Sequence, residues 1–246
     1  MKYSVQVLCE QGPVRPNNED AVRYGVSPEL GILWVAMADG MGGHNAGEVA
    51  SEMLVDQMQA ALHVLSSSPE QGWGDWLVRQ LGEANAAIFS DGETHSERAG
   101  MGTTGVVMIV ERRRMTVAWV GDSRAYVFRD YQLCQLTQDH SMLQYLLDKG
   151  AISKKQAASS DSKHLLSRAV GIKAKVEVDQ FSQSVQRGDV LMLSTDGLHD
   201  RLSEKEIAGY LEKFGAGEQI AGDLINQAIA QGSRDNLTVA LIRISN

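Results

Sequence analysis

Cysteine is nearly absent from this chain of 246 residues. Cys9 and Cys134 stand far apart without a partner motif, which excludes a disulfide framework or a thiolate metal site and predicts two small buried strand residues. With only 4 prolines, no low-complexity run and no internal repeat, nothing reads as a linker, so one domain over 1–246 is expected. No stretch approaches the roughly 18 consecutive apolar residues of a membrane helix, and 1–11 lacks a basic segment followed by an apolar core. A cytoplasmic chain with no membrane partner is expected. Basic side chains are also short, 23 against 31 acidic, and the formal charge of -8 argues against nucleic acid as a partner. An acidic excess gives solubility, but aspartates can also be metal ligands; their positions decide.

What is present is a series of apolar runs bounded by turn residues. They predict strands at 3–8, 21–26, 32–38, 104–110, 115–120, 125–128, 176–181, 190–194 and 237–244. Helical spacing runs over 47–65, with Ala50, Leu54, Met58, Ala61 and Leu65 in one stripe, and over 76–89, with Leu77, Leu81, Ala84 and Ile88. A later pair at 204–214 and 218–230 follows the same period. The order is mixed α+β without βαβ alternation. Hairpin-like runs such as 104–136 favour antiparallel sheets, and amphipathic helices would cover their outer faces. A sandwich of two packed antiparallel sheets with helices on both sides fits this order.

Three apolar strands run straight into an acid: 34–38 into Asp39, 118–121 into Asp122 and 191–195 into Asp196. Asp20, in Arg15-Pro-Asn-Asn-Glu-Asp20, and Asp235, in Ser233-Arg-Asp-Asn236, stand just before strands begin. In an antiparallel sheet the start of one strand lies beside the end of the next, so all five can gather at one edge. Asp-Gly and Asp-Asn are common turn dipeptides, and any one alone reads as a turn. Five crowded carboxylates would repel one another, which favours bound cations. Oxygen donors without His or Cys select hard ions such as Mg or Mn. Gly40, lacking a Cβ, lets its carbonyl approach such an ion.

These residues resemble the PPM family, the type 2C metal-dependent protein phosphatases, in its compact bacterial form. The matching blocks are Arg15 to Asp20, Asp39-Gly-Met-Gly-Gly-His-Asn-Ala-Gly-Glu-Val-Ala-Ser51, Gly102-Thr-Thr104, Val120-Gly-Asp-Ser-Arg124, Leu136-Thr-Gln-Asp-His-Ser141, Ser167-Arg-Ala-Val-Gly171, Ser194-Thr-Asp-Gly-Leu198 and Arg234-Asp-Asn-Leu-Thr-Val239. The ordered set spans nearly the whole chain. The resemblance implies hydrolysis of phosphoserine and phosphothreonine in proteins by a water activated at a dinuclear Mn or Mg centre, opposing a Ser/Thr kinase. By that analogy Asp39 bridges two tightly held ions, Asp20 serves the second through water, and Asp196 and Asp235 hold the first. Asp122, with Asp196, binds a third, weaker ion; Glu19 orients a water, Asn236 supports its neighbour and Arg15 grips the phosphate. A flap is implied over 141–168, and a monomer is favoured.

The chain departs from the pattern in two places. Met41 stands where many eukaryotic members carry a histidine that protonates the leaving alkoxide, leaving water or His44 for that task. In the flap, Ser159-Ser-Asp-Ser-Lys-His164 replaces a His-Pro start, while His140 and His199 read as packing or capping residues. Two rivals remain. Cys9-Glu-Gln-Gly-Pro-Val-Arg15 matches the C-x5-R loop of cysteine-dependent phosphatases, against which stand Pro13 without an N–H, the repelling charge of Glu10 and a following strand instead of a helix. A catalytically silent phosphoprotein-binding domain would be marked by loss of a metal aspartate, and all five are present. Neither a P-loop nor a G-x-S-x-G elbow occurs.

Overall fold

The layering of the fold follows from side-chain alternation along its central strands. In the computed structural model, which describes residues 2–42, 46–153, 156, 165–214 and 218–245, strand β3 (Ile32–Met41) sends Ile32, Trp34, Ala36 and Ala38 into one buried cluster and Leu33, Val35 and Met37 into another. This is the period of two of a pleated strand, and a strand apolar on both faces has to be covered on both.

One sheet runs β2 (Asp20–Ser27), β3, β5 (Gly105–Glu111), β6 (Arg114–Val120) and β9 (Asp179–Ser184), antiparallel throughout, with the two-residue β4 (Gly102–Thr103) beside the end of β3. The other runs β1 (Tyr3–Glu10), β11 (Leu237–Ile244), β10 (Val190–Ser194), β7 (Arg124–Arg129) and β8 (Gln132–Gln135), also antiparallel. Between them Leu33, Val35, Val106 and Met108 meet Val127, Leu191, Ala240 and Ile242. Helices α1 (Gly47–His63) and α2 (Trp73–Thr94) cover the first sheet through Leu54, Met58, Leu77 and Leu81. The short α3 (Met142–Asp148) and α4 (Asp196–His199) lie in connections. Helices α5 (Glu204–Leu211), opened by a Ser203/Glu206 capping box, and α6 (Ile220–Ala230) cover the second sheet through Ile207, Leu211, Leu224 and Ala228. Each fully buried leucine, isoleucine or methionine among these contributes about 1.5–3 kcal/mol, and three such clusters make a stiff frame. Among the described residues no helix is long and apolar enough to cross a membrane.

The predicted α-β-β-α sandwich is therefore the observed one, with local corrections. The strand expected at 176–181 lies at Asp179–Ser184. Val176 and Val178, which prompted the earlier start, pack on the helix-side cluster from the loop before it, while the strand itself is a polar edge. Cys9 lies in β1 but is only half-buried, and Cys134, in β8, is exposed. The expectation of two buried cysteines fails because both lie outside the stacked centre. Strands β4 and β8 and helices α3 and α4 are too short to show a period.

Candidate functional site

The register of β2 against β3 sets Asp20 directly opposite Asp39. Asp39 has the parity of Leu33, Val35 and Met37, so the pair belongs to the end of the inter-sheet layer. Asp20 is buried, and its Oδ2 accepts hydrogen bonds from two threonines of the opposite sheet's side, Thr195 Oγ1 at 2.9 Å and Thr238 Oγ1 at 2.6 Å. Its Oδ1 is buried without a partner. Thr104 secures Asp39: its Oγ1 accepts from the Asp39 N–H at 2.9 Å, and its own N–H donates to the Asp39 carbonyl at 2.8 Å.

The other three acids arrive on turns. Asp122 follows Gly121, whose φ of 104° suits glycine and where an added Cβ would lie 2.7 Å from the Thr104 side chain. Asp196 opens α4 directly after β10. Its neighbour Gly197 packs so closely on the Asn236 carbonyl that a Cβ would lie 2.0 Å from that oxygen, and this holds the Asp196 turn against Asp235. Asn236 does more than support its neighbour. Its Oδ1 accepts from the Glu19 N–H at 2.9 Å, and its Nδ2 donates to the carbonyls of Gln11 and Asn17 at 2.8 and 2.9 Å, fastening the loop that carries Arg15 and Glu19.

Arg15 is exposed and donates from Nη2 to Asp235 Oδ2 at 2.8 Å. Arg15, Glu19, Asp39, Gly40, Asp122, Asp196, Asp235 and Asn236 line one cleft of about 930 Å³, together with Met41, Thr104, Leu165 and Leu166; Asp20 lies beneath it. Burial raises the Asp20 carboxyl to about 7, against the two threonine hydrogen bonds and with help from Asp196 and Asp235. Burial, then Asp196 and Asp139, raises Asp122 to about 8. Asp39 is pushed well above the ordinary range by burial and then by Asp20, Asp196, Asp122 and Asp235. Glu19 is raised by burial and then by Glu48. The acids thus feel one another, although among the described residues no three His, Cys, Asp or Glu side chains close into a formed metal cage.

His44 lies outside the described residues, as does the whole 159–164 stretch of the expected flap. Cys9 does not head a phosphate cradle: its Sγ accepts from Thr238 Oγ1 at 3.2 Å and Asn18 Nδ2 at 3.2 Å, burial pushes its thiol pKa up, and β1 leads into a loop, not a helix. Thr104, Thr195 and Thr238 are site-building residues that sequence reasoning passed over. Their only signal was a hydroxyl in a buried strand or beside an acid.

Comparison with known proteins adds the identity of this architecture. The serine/threonine phosphatase stp of Listeria monocytogenes is 37% identical over 237 residues, covering 95% of this chain and 92% of that one. The structure of the S. agalactiae serine/threonine phosphatase superposes with a TM-score of 0.93 at 31% identity, covering 99% of this chain and 100% of the other. The catalytic domain of the serine/threonine protein phosphatase PstP, in complex with 2 manganese ions, superposes with a TM-score of 0.85 at 31% identity over 99% of both chains. The model of the protein phosphatase 2C family matches residues 15–231, and the chain belongs to that family.

Proposed function

We propose that this phosphatase hydrolyses phosphoserine and phosphothreonine in proteins, with Mn or Mg held by Asp20, Asp39, Asp122, Asp196, Asp235 and the Gly40 carbonyl. The observation that carries this reading is the gathering of aspartates from five separate segments, four lining one cleft and Asp20 paired with Asp39, three of the five with raised pKa. The residues fit such ions. The donor set is all oxygen, Asp20 keeps a buried Oδ1 that no protein donor satisfies, and Gly40 sits where a Cβ would be 2.1 Å from the Gly47 carbonyl oxygen. Divalent cations, when bound, polarise phosphoryl oxygens and lower the pKa of water. We assign two ions to the Asp20, Asp39, Asp196 and Asp235 group and a weaker third to Asp122 with Asp196.

The chain's own groups do the rest. Arg15 shares one of its N–H groups with Asp235 and has others to offer a phosphate, a planar fork suited to two phosphoryl oxygens. Because Asn236 fastens the loop on both sides of Arg15, little ordering remains for binding to supply. Glu19 orients water in the cleft. Met41 cannot donate a proton, and of water and His44 we assign protonation of the leaving alkoxide to water. The bound phosphoprotein would be the product of a Ser/Thr kinase that this enzyme opposes. The test is turnover of a phosphothreonine peptide, which vanishes in EDTA and returns with Mn or Mg; full activity of cation-stripped protein would sink the proposal.

A further inference from the structure

We propose that His140 is a positioning residue that ties the Asp122 turn to the cleft wall at Leu165 and Leu166. The inference rests on the role given above to Asp122. His140 is only 6% exposed, and its four polar groups go to three separate segments. Two of them take both backbone groups of Gly121: Nδ1 accepts from the Gly121 N–H at 3.1 Å, and the His140 N–H donates to the Gly121 carbonyl at 2.9 Å. On its other side Gly121 abuts the Thr104 side chain, and Ser123 Oγ lies 2.7 Å from Thr104 Oγ1. The turn that presents Asp122 is thus gripped between Thr104, which also holds Asp39, and His140.

With Nδ1 accepting, the ring proton belongs on Nε2, which donates to Asp179 Oδ2 at 3.2 Å. Asp179 Oδ1 takes Arg168 Nη1 at 2.9 Å, and Arg168 also reaches Glu177 at 3.1 Å. Burial, then the Arg168 charge, lowers the His140 pKa, which favours the neutral ring, and Arg168 Nη1 lies 3.4 Å from Nε2. Trp119 stacks against it, with centroids 6.0 Å apart and an interplanar angle of 21°.

The fourth group reaches the wall. The His140 carbonyl accepts from the Ser167 N–H at 2.8 Å, Ser141 bridges Leu166, and the Met142 N–H donates to the Leu165 carbonyl at 2.7 Å. Leu165 and Leu166 line the same cleft as Asp122. A histidine needed only to fill the core would require one satisfied partner per nitrogen. Here the same residue spans, through single hydrogen bonds, the residue before Asp122 and the residue after Leu166. A group pressing on the wall is therefore transmitted to Asp122.

Two isosteres separate positioning from packing. His140→Asn keeps an acceptor in the place of Nδ1; His140→Gln puts an amide near the place of Nε2 and loses the Gly121 acceptor. Hydrogen exchange on the cation-free protein reads the link without relying on catalysis. The Gln variant should speed exchange of both the Gly121 and Ser167 amides by about tenfold or more, the size of one lost hydrogen bond, while Asn stays near wild type. In the activity arm Gln should need roughly tenfold more Mn for half-maximal turnover of p-nitrophenyl phosphate, with Asn again close to wild type. Unchanged exchange at Gly121 or at Ser167 in the Gln variant, or equal effects of Asn and Gln, overturns the proposal. Should both variants fail to fold, Asp179→Ala, which removes the Nε2 partner and also one partner of Arg168, decides with Arg168→Ala as its control: exchange at both amides faster in Asp179→Ala than in Arg168→Ala supports the link, and any other pattern refutes it. A protein inactive with every cation but showing the exchange pattern would refute the phosphatase reading alone.

Discussion

Stripping the protein of divalent cations should make its stability fall as pH rises through neutrality. An acid whose folded pKa lies above its unfolded value binds more protons folded than unfolded, so stability declines from the unfolded pKa up to the folded one. Asp20, at about 7 instead of 3.8, and Asp122, at about 8 instead of 3.8, both have this sign. Between about pH 5.5 and about pH 8.5, ionising Asp20 costs about 2 kcal/mol and Asp122 about 3 kcal/mol, at about 1.4 kcal/mol per pH unit. For a chain of this size about 1 kcal/mol moves Tm by roughly 2–4 °C, so a fall of roughly 10 °C or more is expected by calorimetry in EDTA. Excess Mn should remove most of it, because cations favour the ionised carboxylates. The acidic excess of the whole chain also disfavours high pH, and Asp122→Asn separates that background. Stripped Asp122→Asn should lose roughly 6–12 °C less over the same window. A stripped variant that falls as steeply as stripped wild type would refute the claim that these buried acids carry the effect.

Asp39→Asn should abolish turnover of a phosphothreonine peptide, while Cys9→Ser should keep more than half of it; the reverse pattern would restore the cysteine mechanism. Arg15→Ala should lower kcat/KM by roughly ten- to a hundredfold with cation affinity retained, the effect of one lost charged hydrogen bond. Unchanged kinetics would leave Arg15 as no more than a partner of Asp235. Gly40→Ala should destabilise by about 3 kcal/mol in urea unfolding, since its Cβ would meet the Gly47 and Glu19 carbonyl oxygens at 2.1 and 2.6 Å and neither is a side chain that can swing away. An unchanged midpoint would show that the backbone there yields easily.

The layers of the fold were legible because the central strands obey a rule visible in sequence. An unbroken apolar run such as 32–38 can only be buried on both faces, and the stripes of α1 and α2 show what covers one of them. Legibility fails at the edges. Strand β9, Asp179–Ser184, reads DQFSQS and has a single large apolar residue, Phe181, which is exposed. Its pairing with β6 is made by backbone groups, which leave no mark on composition.

The site was legible to a different depth. An acid at the end of an apolar strand is a local signal, and so the sequence alone gathers the aspartates at one edge. What holds them is not local. Asp20 depends on Thr238, Arg15 on Asp235, and Glu19 on Asn236, each pair more than two hundred residues apart in sequence.

That division has a physical cause. Carboxylates with pKa values pushed to about 7 and about 8 oppose the folded state, so the frame around them has to be stiff before they can be held together. Two helix-covered sheets supply that stiffness through apolar burial, which is non-directional and follows from pattern. The final placement comes from short, directional bonds between chain segments that meet only after the sheets have stacked: Thr104 to Asp39, Thr195 and Thr238 to Asp20, and His140 to Gly121. A periodic pattern can announce the frame. The bonds that aim the acids depend on which loop ends the frame brings together, and for that reason threonines and a histidine that look ordinary in sequence become the residues on which the geometry of the cleft turns.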